Sequence, residues 1–414
     1  MKYFCSHLFT ALSFDQRGQV RVCCNNYEVP KDEDGNPISI TDKDFSMVKS
    51  FNSDVHTRIR KNILADKQDP GCIRCWQTED NGAESYRTIW NNTLASGFHK
   101  DIMIESMDDD GYVRDPYVTF LDFTMGNKCN LICRMCNIDN SNLWEKESKL
   151  LYNEDFNIPT RNVSVDDRFL SDDFFTKNFL YLKQVNFLGG EPLIIKEHSD
   201  FLRQCIKHNI AKNITLFYTT NLTVVKDELF DLWSEFKHIY LGVSIDGYNE
   251  VDDYIRYPSK WDKIEKNIEK VSEWKQELNM DLQIHSTFQA LNVLNYDKLL
   301  EWVYSLGDLG FWRLPFSNWV TYPNWYDCRV LSDDLKDMGI ERITKFIDSK
   351  KDIKWDAGEE QWLGILKSNL VTLKETLDDE EAVLKFKVYT KKLDRNRKQH
   401  IVNYIPELEK FIYG

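Results

Sequence analysis

The sequence predicts an α/β fold: an incomplete (β/α)6 barrel, preceded by a cysteine-bearing segment and followed by a helical extension. Three observations predict it. Between residues 117 and 320, apolar runs of strand composition alternate with amphipathic helical periods, the pattern of βαβ units on a parallel sheet. Several of those runs end in glycine or polar residues, where barrels carry their chemistry. The cysteines come in groups rather than singly, the usage of metal sites. The expected divisions are 1–116, 117–320 and 321–414.

Bulk properties narrow the function. The 414 residues, 42% hydrophobic and 13% aromatic, suffice for a large packed core. No run of 18 apolar residues occurs, so no membrane span is expected. The N-terminus MKYFCSHLFTALSFDQ is too polar for a signal peptide. Ten cysteines without a secretion signal read as metal ligands or free thiols in a reducing, cytoplasmic setting. A net charge of −14 repels phosphate backbones and argues against nucleic acid as a partner.

In the first segment, Leu8 to Phe14 and Gln19 to Val22 read as strands of a β-hairpin joined by Asp15, Gln16, Arg17 and Gly18. Pairing brings Cys5 and Cys23 together. A helix is expected over 45–64, with Met47, Val48, Phe51, Val55, Ile59 and Ile63 on its apolar face. Cys72 and Cys75 then form a C-x2-C knuckle placed by Pro70 and Gly71. Four ligands suit a four-thiolate zinc or a [4Fe–4S] cluster, and spacing does not decide between them. Cys24 rivals Cys23 as the fourth ligand. Glu79, Gly82, Ser85 and Arg87 read as a solvated, capped helix start or as groups that approach the active site.

In the central segment, strands are expected at 118–125, 184–189, 214–220, 239–246, 282–290 and 311–317, with helices at 140–151, 169–181, 197–208, 226–236, 261–278 and 296–306. An inserted stretch around 152–170 lengthens the first crossover. After the first strand, Cys129, Cys133 and Cys136 stand in C-x3-C-x2-C spacing. Three thiolates so placed can hold three corners of a [4Fe–4S] cluster and leave one iron open to a small molecule. A zinc knuckle is the alternative, and it usually needs a second ligand pair. The second strand ends in Gly189-Gly190-Glu191-Pro192. Its glycines admit close approach to the backbone, and Glu191 offers a carboxylate to an ammonium. The third ends in Thr219-Thr220-Asn221, residues suited to a nucleoside, a substrate or a helix cap. The fourth ends in Ser244-Ile245-Asp246-Gly247, with Asp246 read as structural, and Arg256 follows. An arginine suits a carboxylate ligand, or a surface salt bridge to Asp252 or Asp253. In the fifth, His285, Thr287 and Gln289 share a face that would line a cavity if it pointed inward; His285 alone reads as a core histidine. Trp312, Trp319, Trp325 and Tyr326 either wall a pocket or pack the core. Cys328 and Cys205 read as buried free thiols.

The last segment is helical by period at 333–349, 359–376 and 380–398 and carries no cysteine. It is expected to cover the open side of the barrel and its unpaired strand edge. LDRNRKQH reads as a solvated basic helix end.

CNLICRMC after a strand, followed in order by GGEP and SIDG, resembles the radical S-adenosylmethionine (radical SAM) superfamily. The resemblance implies a partial TIM-type barrel in which Cys129, Cys133 and Cys136 hold a catalytic [4Fe–4S] cluster. S-adenosylmethionine would chelate the open iron and be cleaved reductively to a 5′-deoxyadenosyl radical that abstracts hydrogen. It also implies that Gly189, Gly190 and Glu191 meet the SAM amino group and that Ser244 and Arg256 contact the same cofactor, with Thr220 and Asn221 as the cofactor-binding candidates that the third strand end adds. Asn292 matches an asparagine of SPASM-type barrels. The order Cys5, Gly18, Cys23, helix, Cys72-x2-Cys75 is similar to the first part of SPASM and twitch modules, which hold auxiliary clusters. Such modules usually follow the barrel; here the module precedes it, without the later cysteines, so one auxiliary cluster is implied. The implied function is oxidation, crosslinking or epimerisation of a peptide or protein side chain, with flavodoxin or ferredoxin as reductant. Dehydrogenation or epimerisation of a sugar or nucleoside is the alternative within the class. A zinc-binding, non-enzymatic interaction protein is the alternative outside it.

Overall fold

The computed structural model describes residues 2–82, 84–94, 100–152 and 167–414. Most of the inserted stretch expected at 152–170 lies outside the described residues. The fold is mixed α/β with an eight-stranded, mostly parallel sheet in the order β2-β1-β3-β4-β5-β6-β7-β8. The strands are β1 (Ala11–Phe14), β2 (Val20–Arg21), β3 (Phe120–Thr124), β4 (Gln184–Leu188), β5 (Thr215–Thr220), β6 (His238–Ser244), β7 (Met280–Phe288) and β8 (Phe316–Trp319). Two compact units divide the chain: Met1–Asn127 with Arg161–Phe217 and Asp231–His238, and Lys128–Thr160 with Tyr218–Phe230 and Ile239–Gly414.

In the first unit, β1 and β2 form the expected antiparallel hairpin, and β1 also runs parallel to β3. The hairpin is shorter than expected because His7–Thr10 is a helical turn. His7 is buried there against Tyr86, Trp90 and Phe120, and burial pushes its imidazole down to about 3, so it stays neutral. The helix expected over 45–64 is two, Met47–Phe51 and Asp54–Leu64. Ser53 breaks it by accepting the His56 N–H as a new N-cap. Val55, Ile59 and Ile63 then face Phe4, Leu8, Phe9 and Val22. On β3, Phe123 packs against Phe169, Phe187 and Phe201, so one face of the strand is aromatic core. The opposite face carries Asp122, in register with Ser13 of β1 and Asn186 of β4.

In the second unit, β6, β7 and β8 are parallel, with Ser244, His285 and Phe316 in one row. The sixth strand begins later than expected. Phe311 makes only a single bridge to Leu282, and Pro315, which has no N–H to donate, precedes the regular ladder. The C-terminal helices are Asp333–Ser349, Ala357–Leu373 and Glu380–Arg397. The second carries a capping box between Asp356 and Glu359. It covers the edge strand as expected: Asn369 Nδ2 donates to the Ser317 carbonyl at 2.8 Å.

Four expectations in this unit resolve toward packing. The His285 ring lies against Phe316 and Trp362 and fills the space where Gly242 has no Cβ. Burial pushes it down to about 4, so it is a neutral core histidine. Gln289 lies beyond β7, fully buried, its N–H bound to Asn292 Oδ1. Trp312 packs on Trp362, Trp325 on Tyr389 and Tyr326 on Phe386. Cys328 is fully buried. The basic end LDRNRKQH is solvated only in part: Arg395, Asn396, Lys398 and His400 are exposed as expected, but Asp394 and Arg397 are 3% and 6% exposed, because both are consumed by the cysteine loop described next.

Candidate functional site: the cysteine loop

The loop after β3 turns at Gly126 (φ 94°) and enters the second unit at Lys128. Its first cysteine is fixed separately from the other two, which are bonded to each other. The Cys129 sulfur accepts the Leu131 N–H at 3.4 Å and the Asn221 amide at 3.8 Å. Asn221 is placed by its own turn, its Oδ1 accepting from Thr223 N and Oγ1 at 3.0 and 2.7 Å. Asn130 bridges Asn221 and Thr223 at 3.0 and 2.7 Å. Asn221 is therefore not a helix cap, since the next helix starts at Glu228; it is tied to the first cysteine. Thr220 Oγ1 accepts the Leu222 N–H at 3.0 Å.

Cys133 is 4% exposed. The Cys136 thiol donates to the Cys133 sulfur, which holds Cys133 down at about 7, and Arg256 acts in the same direction against burial. The same bond pushes Cys136 up. The Cys133 carbonyl accepts Cys136 N–H at 3.0 Å and Trp144 Nε1 at 3.1 Å. On either side, Ile132 N–H donates to the Tyr257 carbonyl at 2.6 Å and Arg134 N–H to the Ile255 carbonyl at 2.8 Å.

Arg256 pairs with Asp246 at 2.6 Å, not with Asp252 or Asp253 as a surface bridge. Asp246 is fully buried, and its other oxygen accepts Thr287 N–H at 2.6 Å. Asn292 Nδ2 donates to the Asp246 and Thr287 carbonyls, both at 2.8 Å. Asp246 and Asn292 are thus structural, as Asp246 was expected to be, and they aim a guanidinium whose Nε is buried without a partner. Ser244 closes β6, half-buried.

Glu191 belongs to the first unit. It is 1% exposed and caps the turn Pro192–Ile194 through the Leu193 N–H at 3.0 Å. Gly189 and Gly190 have φ of 76° and 44°. A Cβ on Gly189 would lie 2.2 Å from Thr124 Cγ2 and 2.9 Å from the Gly126 carbonyl. Gly189 is thus required by contact with the end of β3.

In the same unit, Cys5, Cys23, Cys72 and Cys75 line one cavity with His7, Tyr86 and Arg87. Burial pushes the Cys5 thiol up to about 11, and Cys23 and Cys72 further. Four poorly solvated thiols that line one cavity are a donor set that a positive metal centre would stabilise as thiolates. Cys24 is not among the lining residues: it is exposed, hydrogen-bonded to Tyr86 at the cavity's border and near Asp122. Arg87 is not solvated: it is 8% exposed, pairs with Glu79, donates to the Phe4 carbonyl at 2.6 Å and lies over the Trp76 ring. Ser85 Oγ donates to the same Glu79 at 2.5 Å. Among the described residues, no three His, Cys, Asp or Glu side chains are gathered around a single-ion position, and no helix is long and apolar enough to cross a membrane.

The residues that sequence reasoning missed are Arg134, Glu147, Asp394 and Arg397. Only the Arg between Cys133 and Cys136 gave a local signal, and its partner is 260 positions away.

No curated protein matches the chain. Among solved structures, "Native anSMEcpe with bound AdoMet" is similar at 17% identity and TM-score 0.39, over 57% of this chain and 62% of that one. Streptococcus suis SuiB bound to S-adenosylmethionine is similar at 13% identity and TM-score 0.32, over 72% and 63%. The same protein bound to precursor peptide SuiA gives 15%, 0.35, 72% and 61%. The chain thus spans less than two thirds of the length of these structures. Residues 123–279, which include the cysteine loop, Glu191, Asn221, Ser244 and Arg256, match the family model described as the Radical SAM superfamily.

Proposed function

We propose that this chain is a radical SAM enzyme that holds a [4Fe–4S] cluster on Cys129, Cys133 and Cys136 and binds S-adenosylmethionine beside it. The observation that carries the reading is the loop itself: three thiols, the first held by N–H groups and the other two bonded to each other, inside the segment that matches the family model. The donor set suits the cluster, since thiolates are its ligands and N–H groups aimed at sulfur stabilise them. When bound, cluster and cofactor supply one-electron cleavage of SAM and a carbon radical that abstracts hydrogen.

The chain's own residues have distinct tasks. Asn221 donates to the Cys129 sulfur and Asn130 stiffens that contact. Arg256, pre-aimed by Asp246, offers its guanidinium to the SAM carboxylate. Glu191 receives the amino group, Gly189 and Gly190 shape its turn, and Thr220 and Ser244 line the nucleoside. The parallel strands form a partial (β/α)6 barrel. Residues 1–116 form a twitch- or SPASM-like module in which Cys5, Cys23, Cys72 and Cys75 hold one auxiliary [4Fe–4S] cluster, and 321–414 form the extension. The substrate class is a peptide or protein side chain, supported by the SPASM-like order of the N-terminal cysteines. Flavodoxin or ferredoxin supplies electrons, in the cytoplasm.

The test is anaerobic reconstitution, incubation with dithionite and SAM, and assay of 5′-deoxyadenosine beside iron and sulfide. About eight irons per chain with 5′-deoxyadenosine formed is the expected result. Changing Cys133 to Ala leaves about four and no SAM cleavage. Bound zinc without sulfide overturns the reading.

A further inference from the structure

We propose that the C-terminal helix Glu380–Arg397 sets the position of Cys133, with Asp394 and Arg397 as positioning residues that hold the residues on either side of it. Its importance for function rests on the cluster reading above; its geometry does not.

Asp394 and Arg397 are three residues apart and share one helix face. Asp394 Oδ1 accepts Arg134 Nη2 at 2.6 Å and the Tyr254 hydroxyl at 2.8 Å, while Oδ2 accepts Ile401 N–H at 2.8 Å. Arg134 is 1% exposed; its Nε donates to the Tyr254 carbonyl at 3.0 Å, and its guanidinium lies 3.7 Å from the Tyr254 ring centroid. Arg397 Nη2 donates to the Ile132 carbonyl at 2.8 Å. That carbonyl belongs to the peptide leading into Cys133. Arg397 is itself fixed by Glu147, with Nε 3.1 Å from both carboxylate oxygens. The C-terminal helix therefore grips residue 132 through its carbonyl and residue 134 through its side chain, while residues 255 and 257 grip both through backbone bonds.

Four buried charged groups around one loop are a poor way to gain stability, because desolvation offsets most of their attraction. They are an effective way to fix a geometry, because each accepts only one arrangement of partners. A ligand loop ordered before its metal arrives does not pay ordering entropy on binding.

The test uses the metal-free full chain. Alkylation of Cys133 by iodoacetamide is followed by peptide mass spectrometry as a rate relative to Cys328, which is fully buried in the same unit. The ratio cancels global unfolding. We expect Asp394→Asn and Arg397→Gln each to raise the ratio tenfold or more, and Asp394→Glu, which keeps the charge, to bring it back within threefold of the wild-type value. A ratio that stays within threefold of wild type in both Asp394→Asn and Arg397→Gln overturns the proposal. On reconstituted protein, the change that SAM produces in the reduced EPR signal weakens in the same two variants. Wild-type protein that takes up no iron and sulfide sinks the cluster reading and leaves the alkylation result standing.

Discussion

Arg134 and Asp394, 260 positions apart in sequence, meet at 2.6 Å in the interior of the second unit, one residue beyond the middle cysteine of the loop. Removing one partner strands a buried charge, which costs far more than the pair contributes. Asp394→Ala is therefore expected to lower stability by about 3–5 kcal/mol. The double variant Arg134→Met with Asp394→Leu should recover part of that loss, since it removes the stranded charge but leaves the Tyr254 hydroxyl and the Ile401 N–H without their acceptor. Urea denaturation of the three proteins checks this, and a double variant as unstable as the single one would contradict it.

The two adjacent cysteines of the hairpin should differ in metal content. Cys23 lines the cavity with Cys5, Cys72 and Cys75, and Cys24 does not. Cys23→Ser is expected to lose metal from the N-terminal site, while Cys24→Ser keeps it. Iron, sulfide and zinc analysis of both variants decides the matter, and equal loss in both would refute the assignment.

Gly189 combines a positive φ with a clash awaiting any side chain. Gly189→Ala should cost on the order of 2–4 kcal/mol, from backbone strain and from displacement of Thr124. Gly82 offers a control: its φ is also positive, but a Cβ there meets nothing within 4 Å. Gly82→Ala should cost only about 1 kcal/mol. Thermal melting of the two variants separates contact from conformation.

Asp122 introduces a pH dependence. It is 6% exposed, Oδ1 has no hydrogen-bond partner, and burial pushes its carboxyl up to about 7. The folded chain keeps a proton that the unfolded chain releases above the ordinary value of 3.8. Its penalty on stability is thus absent at low pH, grows as pH rises from about 4 toward 7, and is constant above. Asp122→Asn removes it. The stability of the variant relative to wild type should climb over that window by up to about 1.4 kcal/mol per pH unit. A difference that is flat from pH 5 to 8 would rule this out.

The sequence by itself determined the local elements and the motifs of the candidate site. Period and composition located β3 to β7 and the C-terminal helices closely, because a buried strand or an amphipathic helix writes its pattern in consecutive residues. The cysteine triplet, GGEP and SIDG were legible for the same reason: each motif is a few neighbouring residues. Tertiary structure decided everything that depends on distant partners. It placed Cys23 rather than Cys24 in the cavity, paired Arg256 with Asp246 and turned Asn221 toward Cys129. It also buried Asp394 and Arg397 within a helix end that reads as solvated, because a charge pattern shows where charges lie along a helix but not which buried groups of opposite charge await them. Asp394 and Arg397 acquire their roles only when the chain returns from 260 residues away to the loop around Cys133.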